Sequence, residues 1–242
     1  MDEKALQFDR KKHLCYSPAA RAMIQEHLQV RFSPSEAESV WERVQLQYVK
    51  FLEDTPYLGG KKCTHNGVGG TYDCIAMFAF YEVLEDKPSL EELYEMSSEL
   101  FLPPFRRLGR LVSLNNPLVR RLVHFSFCRC AAGDKKLEAS CPTGYLMRVE
   151  PYDPKSGPRY HFDRCPVAEF ARAHGLLHIM PALCNGDYPA MAALHGTLLR
   201  NHTCSNDSLC DYWIVGDRNS CAKKYPLKTD RDGYWYNETD AT

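Results

Sequence analysis

A chain of 242 residues with 44% apolar side chains can bury either one substantial domain or two small packed ones, so disorder is excluded as the default. With 30 basic residues against 31 acidic ones, no global field recruits nucleic acid or an anionic bilayer, and neither is expected as a partner. The opening MDEKALQFDRKKH has no apolar core of a signal peptide, and no apolar run reaches the ~20 residues that span a bilayer, so a cytoplasmic location is expected.

In that compartment the 11 cysteines are expected to be reduced thiols, and the Asn-x-Ser/Thr triplets at Asn201, Asn206 and Asn237 are chance matches. The first periodic segment runs from Pro18 to about Val30 and suits a short helix. A second helix follows in SPSEAESVWERVQLQYVKFLED, with Ser33 as N-cap, Pro34 in the first turn and Glu36 closing a capping box. Its apolar face is read as Val40, Trp41, Val44, Leu46, Tyr48, Val49 and Leu52. The glycine-rich THNGVGG then leads into an apolar helix over Tyr72 to Leu84. Ser89 caps a further helix that Pro103 and Pro104 are expected to end, and PLVRRLVHFSFCRC predicts another helix.

Beyond Gly133 the pattern changes to strands in LEASCPTGYLMRVEPYD and PRYHFDRC, joined by the turn DPKSGP. Helices are predicted in PVAEFARAHG and GDYPAMAALHG, and TLLRNHT should pair with LCDYWIVG as a hairpin across CSNDS. The fold class is therefore α+β: a helical N-terminal half packed on a small antiparallel sheet with interspersed helices in the C-terminal half. Residues 1–132 form the mainly helical part, 133–216 the α+β part, and 217–242 a polar tail expected to dock through Tyr234, Trp235 and Tyr236, all within one compact unit.

No Cys-x2-Cys pair announces a zinc site, and Cys128 and Cys130 diverge on their helix. No cofactor is expected, although a zinc site assembled by the fold from Cys165, Cys184, His202, Cys204 or Cys210 stays open. The loop before the third helix is either a tight turn or a cradle for a carboxylate or amide, in which Asn66 could take part. Asp73, in an apolar helix beside Cys74, either meets a partner or sits in the favourable first turn. Cys184 and Asp187 pair a nucleophile with a base, and the amides of the intervening turn could lower the thiol pKa; a buried, inert thiol is the plainer local reading. If LLRNHT is a strand, Arg200 and His202 share a face suited to carboxylate recognition and proton transfer, with Asp211 nearby.

These elements together resemble the L-2-amino-thiazoline-4-carboxylic acid hydrolase family. The resemblance is carried by FDRCPVAEFARAHGLLHIMPALCNGDY and LLRNHTCSNDSLCDYWIV, which supply Arg164–Cys165, then Leu183, Cys184 and Asp187, then Arg200 and Thr203, then Cys210, Asp211 and Tyr212. The family commonly has threonine directly after the strand arginine, where this chain has Asn201. The resemblance implies a hydrolase that opens a small heterocycle at a non-peptide C–N bond or an amidine-like C–S carbon, as in a 2-aminothiazoline carboxylate. For such a reaction the residue chemistry suggests Cys184 as nucleophile or polarising thiol, Asp187 as base, His202 as acid and Arg200 as anchor for a substrate carboxylate. Cys165, Thr203 and Asp211 would line or brace the site. The expected partner is a small molecule, and a homodimer stays open. The alternatives are a non-catalytic small-molecule sensor and a same-fold enzyme acting on another cyclic amide or imidazole-type ring.

Overall fold

The structure, a computed structural model, describes residues 17–56, 58, 63 and 70–240. Five long helices come first: α1 (Pro18–Arg31), α2 (Pro34–Asp54), α3 (Thr71–Val83), α4 (Leu90–Gly109) and α5 (Pro117–Leu137). Local chemistry explains their starts. Ser17 accepts the Ala20 amide, and Ser33–Glu36 and Ser89–Glu92 close capping boxes at α2 and α4. Asn116 caps α5 ahead of Pro117. Among the described residues no helix is long and apolar enough to cross a membrane, and no disulfide joins any two of the described cysteines.

The second half builds one antiparallel sheet in the order β1-β2-β4-β3, from β1 (Leu146–Val149), β2 (Arg159–Arg164), β3 (Gly196–Leu199) and β4 (Cys210–Gly216). Between β2 and β3 lie α6 (Pro166–Ala173), a 3₁₀ turn (Leu177–Ile179), α7 (Met180–Cys184) and α8 (Asp187–Ala193). After β4 come α9 (Ser220–Lys224) and a small pair, β5 (Lys228–Thr229) with β6 (Trp235–Tyr236). This is the α+β arrangement expected from the sequence. The two-residue period sorts the main sheet: Met147, Tyr160, Tyr212 and Ile214 pack against Val119, Val123 and Phe127 of α5, while Trp213 and Val215 on the other face meet Tyr225.

Several elements depart from the sequence reading. α4 continues through Pro103 and Pro104 to Gly109, although two amide donors are lost there. Tertiary packing holds the path: a Cβ on Gly109 would lie 1.8 Å from the Ala193 carbonyl oxygen, so α4 and α8 touch at backbone distance. α5 runs past Gly133 to Leu137 because Asp134, buried at its inner side, accepts the Met147 amide at 3.0 Å and ties the helix end to β1. Leu46 is 65% exposed, and Val49 is also at the surface; both fall off the α2 face defined by Val40, Trp41, Val44, Tyr48 and Leu52. Strand β3 stops at Leu199, which leaves Arg200, Asn201 and His202 in the connection to β4.

The core is continuous across the two halves. Phe78 of α3 stacks on Phe170 of α6 with ring centroids 5.9 Å apart, and Phe51 of α2 meets the same ring edge-on at 5.2 Å. The C-terminal residues pack onto this body. Tyr234 and Asn237 are buried, and the Asn237 amide donates to the Arg200 carbonyl while its side-chain oxygen accepts the Arg200 amide.

Candidate functional site

Four segments converge where α3 begins and the sheet ends. α3 brings Cys74 in its first turn, the end of β2 brings Cys165 as the N-terminal flank of α6, the α7–α8 turn brings Cys184 and Asp187, and the exit of β3 brings Arg200. Strand β4 adds Cys210 and, on the same face by the two-residue period, Tyr212. Their mutual fields show the convergence: the Cys74 thiol is pushed well up, first by burial and then by Asp73, Cys165, Cys184 and Asp187.

Arg200 organises the centre. It is 1% exposed, and its Nη1 donates to Asp187 Oδ2 at 2.8 Å while Nη2 donates to the Cys184 carbonyl at 2.9 Å. The guanidinium carbon lies 5.0 Å from the Tyr188 ring centroid and 5.5 Å from that of Tyr212, so aromatic faces replace part of the lost hydration. Nε is buried with no hydrogen-bond partner among the described residues. A buried cation with two of its nitrogens satisfied fixes the position of whatever carboxylate it holds.

That carboxylate is Asp187. Its Oδ2 takes a second hydrogen bond from the Tyr212 hydroxyl at 2.8 Å, whereas Oδ1 has no partner among the described residues. The side chain is 41% exposed. One oxygen is thus pinned from inside and the other is available to an incoming molecule.

Cys184 closes the same turn. Its sulfur lies 3.7 Å from Ser205 Oγ, and burial pushes the thiol up to about 12, with the Arg200 charge the main opposing influence. The expected help from turn amides is absent for a geometric reason. The Asn185 amide donates to the Pro181 carbonyl and the Gly186 amide to the Leu183 carbonyl, because Cys184 ends α7 and the amides that lead into α8 are spent on closing that turn. Burial likewise raises the Cys165 thiol, against the pull of the Ala168 and Val167 amides at the α6 N-terminus. These thiols are neutral near physiological pH.

The structure therefore brings Cys184, Asp187, Arg200 and Cys165 together, with Asp73 one residue from Cys74 at the edge. Burial raises the Asp73 carboxyl, opposed by a hydrogen bond from Ser17. A Cβ on Gly70, whose φ is +46°, would lie 2.5 Å from Asp73 Oδ2, which explains glycine at the start of α3. Three predicted site residues lie apart. The His202 ring is at the surface, with Nδ1 3.1 Å from Asp207 Oδ2, since the chain has left the strand by that point. Asp211 accepts the amides of Asn201 and His202 and so pins the loop that follows Arg200. Thr203 and Asn206 bond each other and shape the turn before β4. Asn66 lies outside the described residues. Among the described residues no three His, Cys, Asp or Glu side chains are grouped to hold a metal ion.

Sequence reasoning passed over the site roles of Tyr212, Tyr188, Ser205 and Cys74. The period of β4 carries the signal for Tyr212, which must face the same way as Cys210; nothing local marks Ser205. A cavity of about 400 Å³ on the outer side of this loop is lined by Asn201, His202, Asn206, Asp230, Tyr236 and Glu238, and it does not contain the Cys184–Asp187 pair.

A comparison with family models matches residues 74–214, more than half of the chain, to L-2-amino-thiazoline-4-carboxylic acid hydrolase. The chain belongs to this family. The matched region begins at Cys74, the first thiol of the cluster, and includes Cys165, Cys184, Asp187, Arg200 and Tyr212. No curated protein and no solved structure matches the chain.

Proposed function

We propose that the protein is a hydrolase that opens a small cyclic amidine of the 2-aminothiazoline-carboxylate type by addition of water, with Asp187 as general base. The observation that carries the reading is the asymmetry of Asp187: Oδ2 is held by Arg200 and Tyr212, while Oδ1 has no partner among the described residues and the side chain is 41% exposed. A base held from behind keeps its orientation when a proton arrives on its free oxygen.

In the proposed step a water molecule gives one proton to Asp187 Oδ1 as its oxygen adds to the amidine carbon. The ring nitrogen takes the second water proton, and the carbon–sulfur bond breaks with the electron pair leaving on sulfur. The proton stored on Asp187 then neutralises that sulfur. The product is an N-carbamoyl amino acid carrying a thiol. Cys184 serves as a neutral neighbour of Asp187, because a thiol raised to about 12 by burial is a poor resting thiolate. Arg200 acts as a positioning residue, since its Nη donors are committed inside the protein.

The test is mass spectrometry of purified protein with 2-aminothiazoline carboxylates, lactams and cyclic imides, scored for a gain of one water. Asp187→Asn is expected to lower turnover by about 100-fold or more, in the range of a lost general base. Cys184→Ala and Cys184→Ser are each expected to keep turnover within about tenfold; collapse of both, with a substrate-derived adduct on intact protein, would replace the water route by covalent catalysis. No hydration product from any compound would leave a non-catalytic binding domain as the better reading. Alkylation supplies an independent check. Because the thiol is raised, iodoacetamide should label Cys184 in the folded protein slowly at neutral pH and faster by about tenfold per pH unit above it; rapid neutral labelling would contradict a neutral thiol.

A further inference from the structure

Helix α5 has an outer face that its inner packing does not explain. Val119, Val123 and Phe127 face the sheet, whereas Leu118, Leu122 and Phe125, spaced by four and three residues, point outward and are 69%, 68% and 60% exposed. Arg121 and Arg129 fall on that same outward face by helical period, and both are exposed. From Leu100 to Gly133 the sequence contains arginine at 106, 107, 110, 120, 121 and 129 and no aspartate or glutamate. Arg120 is committed to the carbonyls of Leu114 and Asn115, but Arg106, Arg107, Arg110, Arg121 and Arg129 have no ion-pair partner among the described residues. The near-zero net charge of the chain conceals this local segregation.

We propose that the outer face of α5 docks the protein on an anionic lipid surface, with Leu118, Leu122 and Phe125 entering the headgroup boundary and Arg121 and Arg129 meeting lipid phosphates and carboxylates. Charge chooses among the occupants. In a two-fold pairing of this face with a second copy, the arginines of one helix oppose those of the other, and like-charge juxtaposition disfavours it. A nucleic acid would satisfy the arginines and leave the leucines in water. Shape argues in the same direction. The exposed apolar side chains lie along one side of a single helix, and a helix face of that kind suits a deformable bilayer. It departs from the expectation of no membrane partner, which was drawn from the near-zero net charge and the lack of a spanning apolar run.

The experiment is co-sedimentation of the full chain with vesicles of phosphatidylcholine alone and with about 30% phosphatidylserine. The wild type is expected to pellet with the anionic vesicles, to stay soluble with the neutral ones, and to be released by ~0.5 M salt. The double variant Leu122→Glu/Phe125→Glu changes two exposed side chains and should retain the helical circular-dichroism spectrum while the bound fraction falls at least about fivefold. No sedimentation of the wild type, or equal sedimentation of the variant, overturns the proposal. A dimer in light scattering that this variant dissociates, without vesicle binding, gives the face to a second copy and overturns it as well.

Discussion

Arg200 and Arg121 carry the same guanidinium in opposite surroundings. Arg200 is 1% exposed, with a carboxylate, a carbonyl and two tyrosine rings around it; Arg121 stands in solvent on α5 beside exposed leucines and no acid. The difference shows what burial demands of a charge. Inside, the desolvation cost is met only by a fixed partner, and that requirement is what holds Asp187 in one orientation. Outside, water does the work, and the side chain stays available for a partner brought from elsewhere.

Substitutions should separate the two regimes. Arg200→Met leaves the Cys184 carbonyl without its donor and Asp187 with only Tyr212, and should cost about 3–5 kcal/mol in a urea titration. A second change in the same protein, Asp187→Leu, should restore part of that loss, since removing both members of a buried pair costs less than removing one; no recovery would mean that the two are not energetically paired. Next in size is Asn237→Ala. Its side chain bonds the Arg200 amide, the Tyr188 hydroxyl and the Tyr225 carbonyl, so about 1–3 kcal/mol is expected, measured the same way. Smallest is Arg121→Gln, expected within about 0.5 kcal/mol of wild type. A loss as large as that of Asn237→Ala would show that α5 relies on a contact its surface does not display.

Much of the fold was legible because its signals are local. Ser33 with Glu36 and Ser89 with Glu92 announce helix starts through bonds made within one turn, and the alternation in RYHFDR puts Tyr160 and Phe162 on one face of the sheet. Pro103 and Pro104 misled because the contact that keeps α4 helical is with α8, far along the chain. Leu46 misled because hydrophobicity was taken without angle: it lies two residues past the buried Val44, rotated by about 200° around the helix.

The site was half legible on the same grounds. Cys184 and Asp187 are three residues apart and share one turn, so their proximity is a local fact. The partner of Arg200 and the isolation of His202 depend on where β3 ends, which no residue near Leu199 announces. Tyr212 stood among the motif residues, but its place beside Asp187 needed the period of β4 extended from Cys210.

The strap at Asn237 has a consequence for how the protein is made. Synthesis runs from the N-terminus, so α3, the α7–α8 turn and both central strands have all been synthesised before Asn237 is added. Until then the backbone amide and carbonyl of Arg200 lack the partners that hold them in the finished fold. The site's internal brace is therefore locked by a residue that lies outside the matched family region and is translated after all of it.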